Sequence, residues 1–254
     1  MSASLDICRA AERIHRGDRV VAFTGAGLST ASGIPDFRST ENGLWSEHDP
    51  MEVASLSAFR FSPERFYDWA RPVAAQISAA APNPAHYALR DLDRPGREFT
   101  VITQNIDDLH QKAGSKRVIE IHGNFRTLIC TGCRRTYHSR VEIEPLPVER
   151  NIPRCTACRS VLKPGAILFG EELPLDSWRA AEAVCRACDV MIVAGTSLEV
   201  HPAASLPELA LRSGATLIVI NATSTPIDRR ATVAIRGRVE TVLPAIAAEV
   251  KALE

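Results

Sequence analysis

Short apolar runs alternate with longer amphipathic stretches along most of the chain. The run Arg19-Val-Val-Ala-Phe-Thr24 is apolar after its first residue and stops at Gly25. That is the pattern of a strand buried on both faces and ending in a tight turn. Similar runs at 99–103, 118–121, 190–194, 217–220 and 239–243 predict further strands. Between several of them, residues 83–92, 107–113, 176–187 and 203–213 carry Ala-rich helical spacing. Residues 1–17, with Asp6, Arg9, Glu12, Arg13 and Arg16 set among apolar positions, read as an amphipathic helix. Strands alternating with helices predict an α/β fold with a parallel sheet covered on both faces. Such sheets bind their ligands at the carboxyl ends of the strands.

Two stretches break the alternation. Residues 34–80 contain Pro35, Pro50, Pro63 and helical patches but no clear strand, and residues 125–164 are rich in Cys, Pro and Arg. Both read as insertions that together form a second, smaller lobe. The chain has 254 residues and 45% hydrophobic content, enough for one large core beside that lobe. No apolar run approaches membrane-spanning length, so no membrane is expected. A formal net charge of zero gives no electrostatic reason to expect nucleic acid as a partner. The charged N-terminal helix is unlike a secretory leader, so the expected location is cytoplasmic. In that reducing setting cysteines read first as metal ligands or thiols.

Cys130-Thr-Gly-Cys133 and Cys155-Thr-Ala-Cys158 are two such pairs. Two thiolates from each turn complete a closed tetrahedral zinc site with no open position, which makes the expected zinc structural. The segment around them buries little apolar surface, so a metal staple has a physical purpose. A third pair, Cys185-Arg-Ala-Cys188, lies at the end of a helical pattern running into an apolar strand and reads as small buried thiols. Cys8 reads as part of the core face of the first helix.

Gly25-Ala26-Gly27 follows a strand, and its glycines let backbone amides approach a diphosphate. The third glycine of the usual dinucleotide fingerprint is absent, and no strand ends in an acidic residue some 20 positions on, which argues against a hydride-transfer dehydrogenase. The chain continues instead through Gly33-Ile-Pro35-Asp36-Phe37-Arg38, a small-residue loop carrying an aromatic and an arginine. Polar clusters end three more strands: Gln104-Asn105-Ile-Asp107, Gly195-Thr196-Ser197 and Asn221. Each alone reads as a helix cap. Together they point to one cleft. His122 falls on the same edge and offers a base that titrates near neutral pH. His15, His48, His86, His110, His138 and His201 lack such a setting.

Taken in order with Phe169-Gly-Glu171, these segments resemble the sirtuin family from about residue 15 to the end. The resemblance implies a Rossmann-like lobe made of residues 1–35, 81–123 and 166–254, a helical module at 36–80 and a zinc-ribbon module at 124–165. It implies NAD⁺ as co-substrate and acyl-lysine proteins as partners. Residues expected to hold NAD⁺ are Gly25, Ala26, Gly27, Pro35, Asp36, Phe37, Arg38, Gln104, Asn105, Asp107, Gly195, Thr196, Ser197 and Asn221. The peptide is expected to add as an extended strand along Ile167, Phe169, Gly170 and Glu171 on one side and Leu198, Glu199 and Val200 on the other. His122 is the implied general base, and Asn105 orients water or the ribose. The implied products are free lysine, nicotinamide and O-acyl-ADP-ribose.

Two departures bear on substrate choice. Gly165 and Ala166 stand where relatives carry larger residues, which is expected to loosen the substrate strand locally. Relatives that remove acidic acyl groups share a Tyr-x-x-Arg pair, and here Tyr67 is followed by Ala70 at the arginine position. Arg71 is one step away, about 100° around a helix. Acetyl and other neutral acyl groups are therefore expected over succinyl or malonyl. Alternatives are protein mono-ADP-ribosylation, and an NAD⁺-sensing module that binds acyl-lysine without turnover. The presence of His122, Asn105 and Asp107 argues against the latter, because binding alone needs no base.

Overall fold

The computed structural model describes residues 2–36, 49–138, 148–149 and 152–254. Helix α1 (Ser2–Arg16) leads into strand β1 (Arg19–Thr24), buried at every position after Arg19. Helices α2 (Pro50–Val53), α3 (Leu56–Phe61) and α4 (Pro63–Ala79) come next. Helix α5 (Pro84–Asp91) begins where its residues dictate: Asn83 Oδ1 accepts from Ala85 N, and Pro84 brings no amide to leave unpaired. Strand β2 (Glu98–Thr103), helix α6 (Leu109–Ala113) and strand β3 (Val118–Glu120) follow. The next segment holds short strands β4 (Leu128–Cys130), β5 (Thr136–Tyr137), β6 (Val148–Glu149), β7 (Ile152–Pro153) and β8 (Leu162–Pro164). Helix α7 (Leu175–Ala187), strand β9 (Val190–Ala194), helix α8 (Leu206–Arg212), strands β10 (Thr216–Asn221) and β11 (Val233–Arg236), and helix α9 (Val239–Ala252) complete the chain.

The main sheet is parallel, in the order β11-β10-β9-β1-β2-β3. Chain order reverses across the β9–β1 pair, which makes that pair the topological switch point. Register pairs Thr24 with Thr103 on one side and with Ala194 on the other. Gly25, Gln104 and Gly195 therefore leave the sheet at one level. Alternation along β1 feeds two cores. Val20 and Ala22 pack with α1, α5 and α9, whereas Val21 and Phe23 pack with α7 and α8. A third core joins Phe59, Phe66, Tyr67 and Ala70 of α3 and α4 to Ile152 and Leu168, with Phe125 and Val161 against it. No helix among the described residues is long and apolar enough to cross a membrane.

One expected element is corrected. The run 239–243 is the start of helix α9, and the edge strand is β11, just before it. Val239, Val242, Leu243, Ile246 and Val250 are buried, a helical period that a five-residue window cannot distinguish from a strand. Strand β11 buries alternate residues and, at four residues, is too short to stand out in the sequence.

Gly165 also departs from expectation. A methyl group there would lie 2.1 Å from Thr127 Oγ1, and one on Gly123 would lie 2.0 Å from Gly165 O. Gly165 N donates to Thr127 O at 2.9 Å. This glycine permits close packing against Gly123 and Thr127, where loosening was expected.

Cys185 and Cys188 are buried free thiols, and burial pushes Cys188 up to about 11 and Cys185 higher still. Cys8 is half-buried.

Candidate active site and zinc centre

The four cysteines of the two pairs bring their sulfurs within 4.8 Å of one another. Cys130 Sγ lies 3.4 Å from Cys158 Sγ, and Cys133 Sγ lies 3.6 Å from Cys155 Sγ. Four sulfurs about 2.3 Å from a tetrahedral zinc sit about 3.8 Å apart, so the set fits that ion. Both turns are built alike. Arg134 N donates to Cys130 O and Arg159 N to Cys155 O, and both arginines adopt positive φ, 62° and 63°. Tyr137 Oη, 3.3 Å from Cys155 Sγ, also accepts from Thr156 N and braces the second turn. Cys130 and Cys155 are fully buried.

A cavity of about 1140 Å³ opens at the switch point. Its floor is the glycine turn. Gly27 N donates to Gly195 O at 2.9 Å, and a methyl group on Gly195 (φ 64°) would lie 2.4 Å from Leu28 N. The ends of β1 and β9 therefore touch backbone to backbone, leaving the cleft beside them open to a ligand. Gly25, Ala26, Gly27, Asp36, Gln104, Asn105, Gly195, Thr196, Ser197 and Asn221 line the cavity. Pro35 does not line it, and Phe37 and Arg38 lie outside the described residues. Asp107 does not line it either. Its carboxylate accepts from Ser29 Oγ at 2.6 Å and from Leu109 N at 2.9 Å, so it acts through Ser29 and the start of α6. Burial raises the Asp107 pKa, and those two hydrogen bonds oppose the shift.

Asn105 donates through Nδ2 to Gly25 O at 3.0 Å and to Ser29 Oγ at 3.1 Å. That leaves its Oδ1 to accept from a ligand. Gln104 Nε2 donates to Thr196 Oγ1 at 3.1 Å, joining the β2 end to the β9 end. His122 follows β3, and its Nδ1 lies 3.0 Å from Gln104 O. A carbonyl only accepts, so Nδ1 carries the proton and Nε2 is the basic atom. Burial lowers the His122 pKa below the ordinary 6.5, partly offset by the bond to Gln104. The ring is thus neutral and basic at neutral pH.

On the opposite wall are Ile167, Phe169, Gly170, Glu171, Glu199 and Val200, whereas Leu198 is buried behind it. Much of the loop's backbone is already committed. Ile167 N donates to His122 O, Phe169 N to Ala54 O and Glu171 N to Leu168 O, while Phe169 O accepts from Leu56 N. Gly170 and Glu172 make no backbone hydrogen bond among the described residues. Lys163 braces this loop from behind. Its ammonium donates to Pro164 O and Ala166 O and lies 3.0 Å from Glu171 Oε2, which also accepts from Leu168 N. Sequence reasoning missed Lys163, because nothing marks it until the loop is folded. It also missed Trp69 and Phe125, which form the apolar end of the cavity with Ala54 and Leu168. Trp69 on an amphipathic helix and Phe125 in a bend after β3 carry no distinguishing signal along the chain.

Lys163→Met leaves the Glu171 carboxylate without its cation in a largely buried site, a costly kind of change. The expected result is a lower Tm for Lys163→Met than for the wild type, measured by thermal denaturation.

A switch-point cleft with a glycine turn, a neutral histidine at its edge and a four-cysteine module beside it defines a nucleotide-binding α/β enzyme with a zinc-stapled second lobe. The profile of the Sir2 family matches residues 25–202, and the chain belongs to that family, the sirtuins. "NAD-dependent protein deacylase 2" of Archaeoglobus fulgidus is 45% identical over 249 residues, covering 98% of this chain and 97% of that protein. A solved Sir2 homolog–NAD complex superposes with a TM-score of 0.87 at 40% identity, covering 97% and 94% of the two chains. A Sir2 point variant solved with deacetylated p53 peptide and 3′-O-acetyl ADP ribose gives a TM-score of 0.86 at 37% identity, covering 95% and 97%.

Proposed function

We infer that this chain is an NAD⁺-dependent protein lysine deacylase. It transfers acetyl or another neutral acyl group from lysine to ADP-ribose, consuming NAD⁺ and one water and giving free lysine, nicotinamide and O-acyl-ADP-ribose. The observation that carries this reading is His122 on the switch-point cleft, with its tautomer set by Gln104 O and Nε2 left basic. A binding module has no use for that arrangement.

NAD⁺ supplies an activated ribose carbon, with nicotinamide as leaving group, to which the acyl oxygen bonds. Gly25, Ala26, Gly27, Gly195, Thr196, Ser197 and Asn221 hold its diphosphate and adenosine side. Gln104 and Asn105 hold the nicotinamide end. His122 Nε2 accepts a proton from a ribose hydroxyl as that hydroxyl attacks the acyl carbon. The acyl-lysine peptide adds as a strand against Gly170 and Glu172, whose backbone groups have no other partner among the described residues. In this reading residues 1–35, 81–123 and 166–254 form the NAD⁺ lobe, 36–80 the helical module and 124–165 the zinc-ribbon module. The setting is cytoplasmic, consistent with free thiols and a metal-type cluster of four cysteines.

The acyl pocket supports the neutral preference. Tyr67 Oη already donates to Leu162 O at 2.5 Å, Ala70 is buried in the core of the helical module, and none of Tyr67, Ala70 and Arg71 lines the cavity. Arg71 is exposed. Among the described residues, Trp69, Phe125 and Leu168 line the cavity and bring no cation to receive a succinyl carboxylate. Parallel turnover assays on acetyl- and succinyl-lysine peptides with NAD⁺ are expected to favour acetyl by on the order of 10²-fold in kcat/KM. Equal rates would refute the preference, and no turnover of any acyl-lysine peptide would refute the deacylase reading.

A further inference from the structure

Beneath the glycine turn lies a buried polar chain that the mechanism above does not use. His110, on helix α6, is 1% exposed, and its Nε2 is 2.9 Å from Thr24 Oγ1. Thr24 Oγ1 donates to Thr103 Oγ1 at 2.9 Å, and Thr103 Oγ1 accepts from Asn105 N at 3.0 Å. Thr24 and Thr103 are the last residues of β1 and β2 and pair across the ladder. Each is followed directly by cofactor-site residues, Gly25 in one case and Gln104-Asn105 in the other. Asn105 Nδ2 then returns to Gly25 O at 3.0 Å, closing the loop of contacts. Every member is at most 6% exposed among His110, Thr24, Thr103 and Asn105.

The protons in this chain can be assigned. The Thr24 hydroxyl has one proton and gives it to Thr103, so Thr24 must accept from His110, whose Nε2 is therefore protonated. That leaves His110 Nδ1 a bare acceptor. It is buried and has no partner among the described residues. Behind it stands His86, 0% exposed, with ring centroids 5.1 Å apart. His86 Nδ1 accepts from Asn83 N at 3.3 Å, so its Nε2 is the protonated nitrogen, likewise buried without a partner. One orphan donor and one orphan acceptor on adjacent rings are complementary. The opposite His110 tautomer would bury two donors there. Asn83 in turn donates to Leu28 O at 2.8 Å and Ser32 Oγ at 2.9 Å, on the loop that follows the glycine turn. Burial holds both rings neutral, with His86 pushed down to about 4 and His110 well below its ordinary value.

We propose that His110, as its Nε2-protonated neutral tautomer, is a positioning residue for the NAD⁺ site, locking Gly25 and Asn105 to each other through Thr24 and Thr103. His86 stands behind it, and its protonated Nε2 disfavours the His110 tautomer that would bury a second donor there. The inference rests on the reading of the cleft as the NAD⁺ site. It makes His110 specific to one co-substrate, because the chain ends on the cofactor residues and touches nothing on the peptide wall.

Two pairs of variants test it. His110→Leu and Thr24→Val remove the donor and the hydroxyl with little change in volume. His110→Gln keeps an N–H donor at the same reach, and Thr24→Ser keeps the hydroxyl. Read by calorimetry, His110→Leu and Thr24→Val are expected to weaken NAD⁺ binding by about tenfold or more, since each leaves a buried polar group unpaired. Acyl-peptide affinity is expected to stay near wild type, KM for NAD⁺ to rise more than kcat falls, and His110→Gln and Thr24→Ser to recover most of the binding. The double variant His110→Leu/Thr24→Val is expected to cost little more than either single one, as members of one chain are not additive. Unchanged NAD⁺ affinity in both disruptive variants, equal loss of peptide and NAD⁺ affinity, or additive losses would overturn the proposal. Wild-type protein that binds NAD⁺ but turns over no acyl-peptide would count against the deacylase reading and leave this test intact.

Discussion

His122→Ala is expected to lower kcat for acetyl-lysine turnover by on the order of 10²–10⁴-fold, the contribution of a positioned general base. Its effect on KM for either substrate is expected to be small, because among the described residues the imidazole hydrogen-bonds only to Gln104 O. The wild-type pH profile follows from the same geometry. Catalysis needs the neutral ring, and burial lowers the His122 pKa below 6.5. Activity is therefore expected to persist as pH falls through 6.5 and to be lost only at lower pH, when the ring finally takes up a proton. An acid limb centred above 6.5 would mean that another group limits the rate. A melting curve of His122→Ala close to wild type separates loss of the base from loss of the fold.

Loss of zinc is expected to have the second large effect. The four-cysteine set closes a module whose strands β4, β5 and β8 are each two or three residues long. Such strands cannot hold their register alone, and structural zinc contributes many kcal/mol to modules of this kind. The damage is expected to spread along two routes. Ile152 and Val161 pack on Phe59, Phe66 and Tyr67 of α3 and α4, and β8 runs directly through Gly165 into residues 166–171, where the proposed peptide site lies. Cys155→Ser, or treatment with a strong chelator, is expected to lower Tm by about 10 °C or more and to raise KM for the acyl-peptide before KM for NAD⁺. A metal assay giving one zinc per chain, with the peptide site lost as zinc leaves, supports the structural role. Full activity after zinc removal would contradict it.

The central sheet was legible because its strands are buried on both faces and their apolar runs stop at glycine or at polar clusters. Gly25, Gln104-Asn105 and Gly195 announce the strand ends, and the order of these motifs was enough to place the cleft. The zinc set was legible because paired cysteines carry their own spacing. Where the reading failed, the cause was local ambiguity or long-range contact. The 239–243 run is apolar in either periodicity over five residues, and only Ile246 and Val250 beyond it reveal the helix. Asp107 looks like a ligand residue because it shares a cluster with Asn105, but its carboxylate turns to Ser29 and Leu109. His110 and Lys163 look ordinary along the chain. One becomes meaningful when α6 is laid against the β1–β2 pair, the other when residues 164–171 fold back over it. Gly165, which looked like a loosening substitution, is a packing requirement that depends on Thr127 and Gly123 being brought against it.

The most direct test of the deacylase account is nicotinamide release from NAD⁺, measured with and without an acetyl-lysine peptide, in the wild type and in His122→Ala. The account predicts release that depends on the peptide, is matched mole for mole by O-acetyl-ADP-ribose and free lysine, and is lost in the variant. Release without peptide, release that leaves ADP-ribose attached to protein, or no release on any acyl-lysine peptide would contradict it.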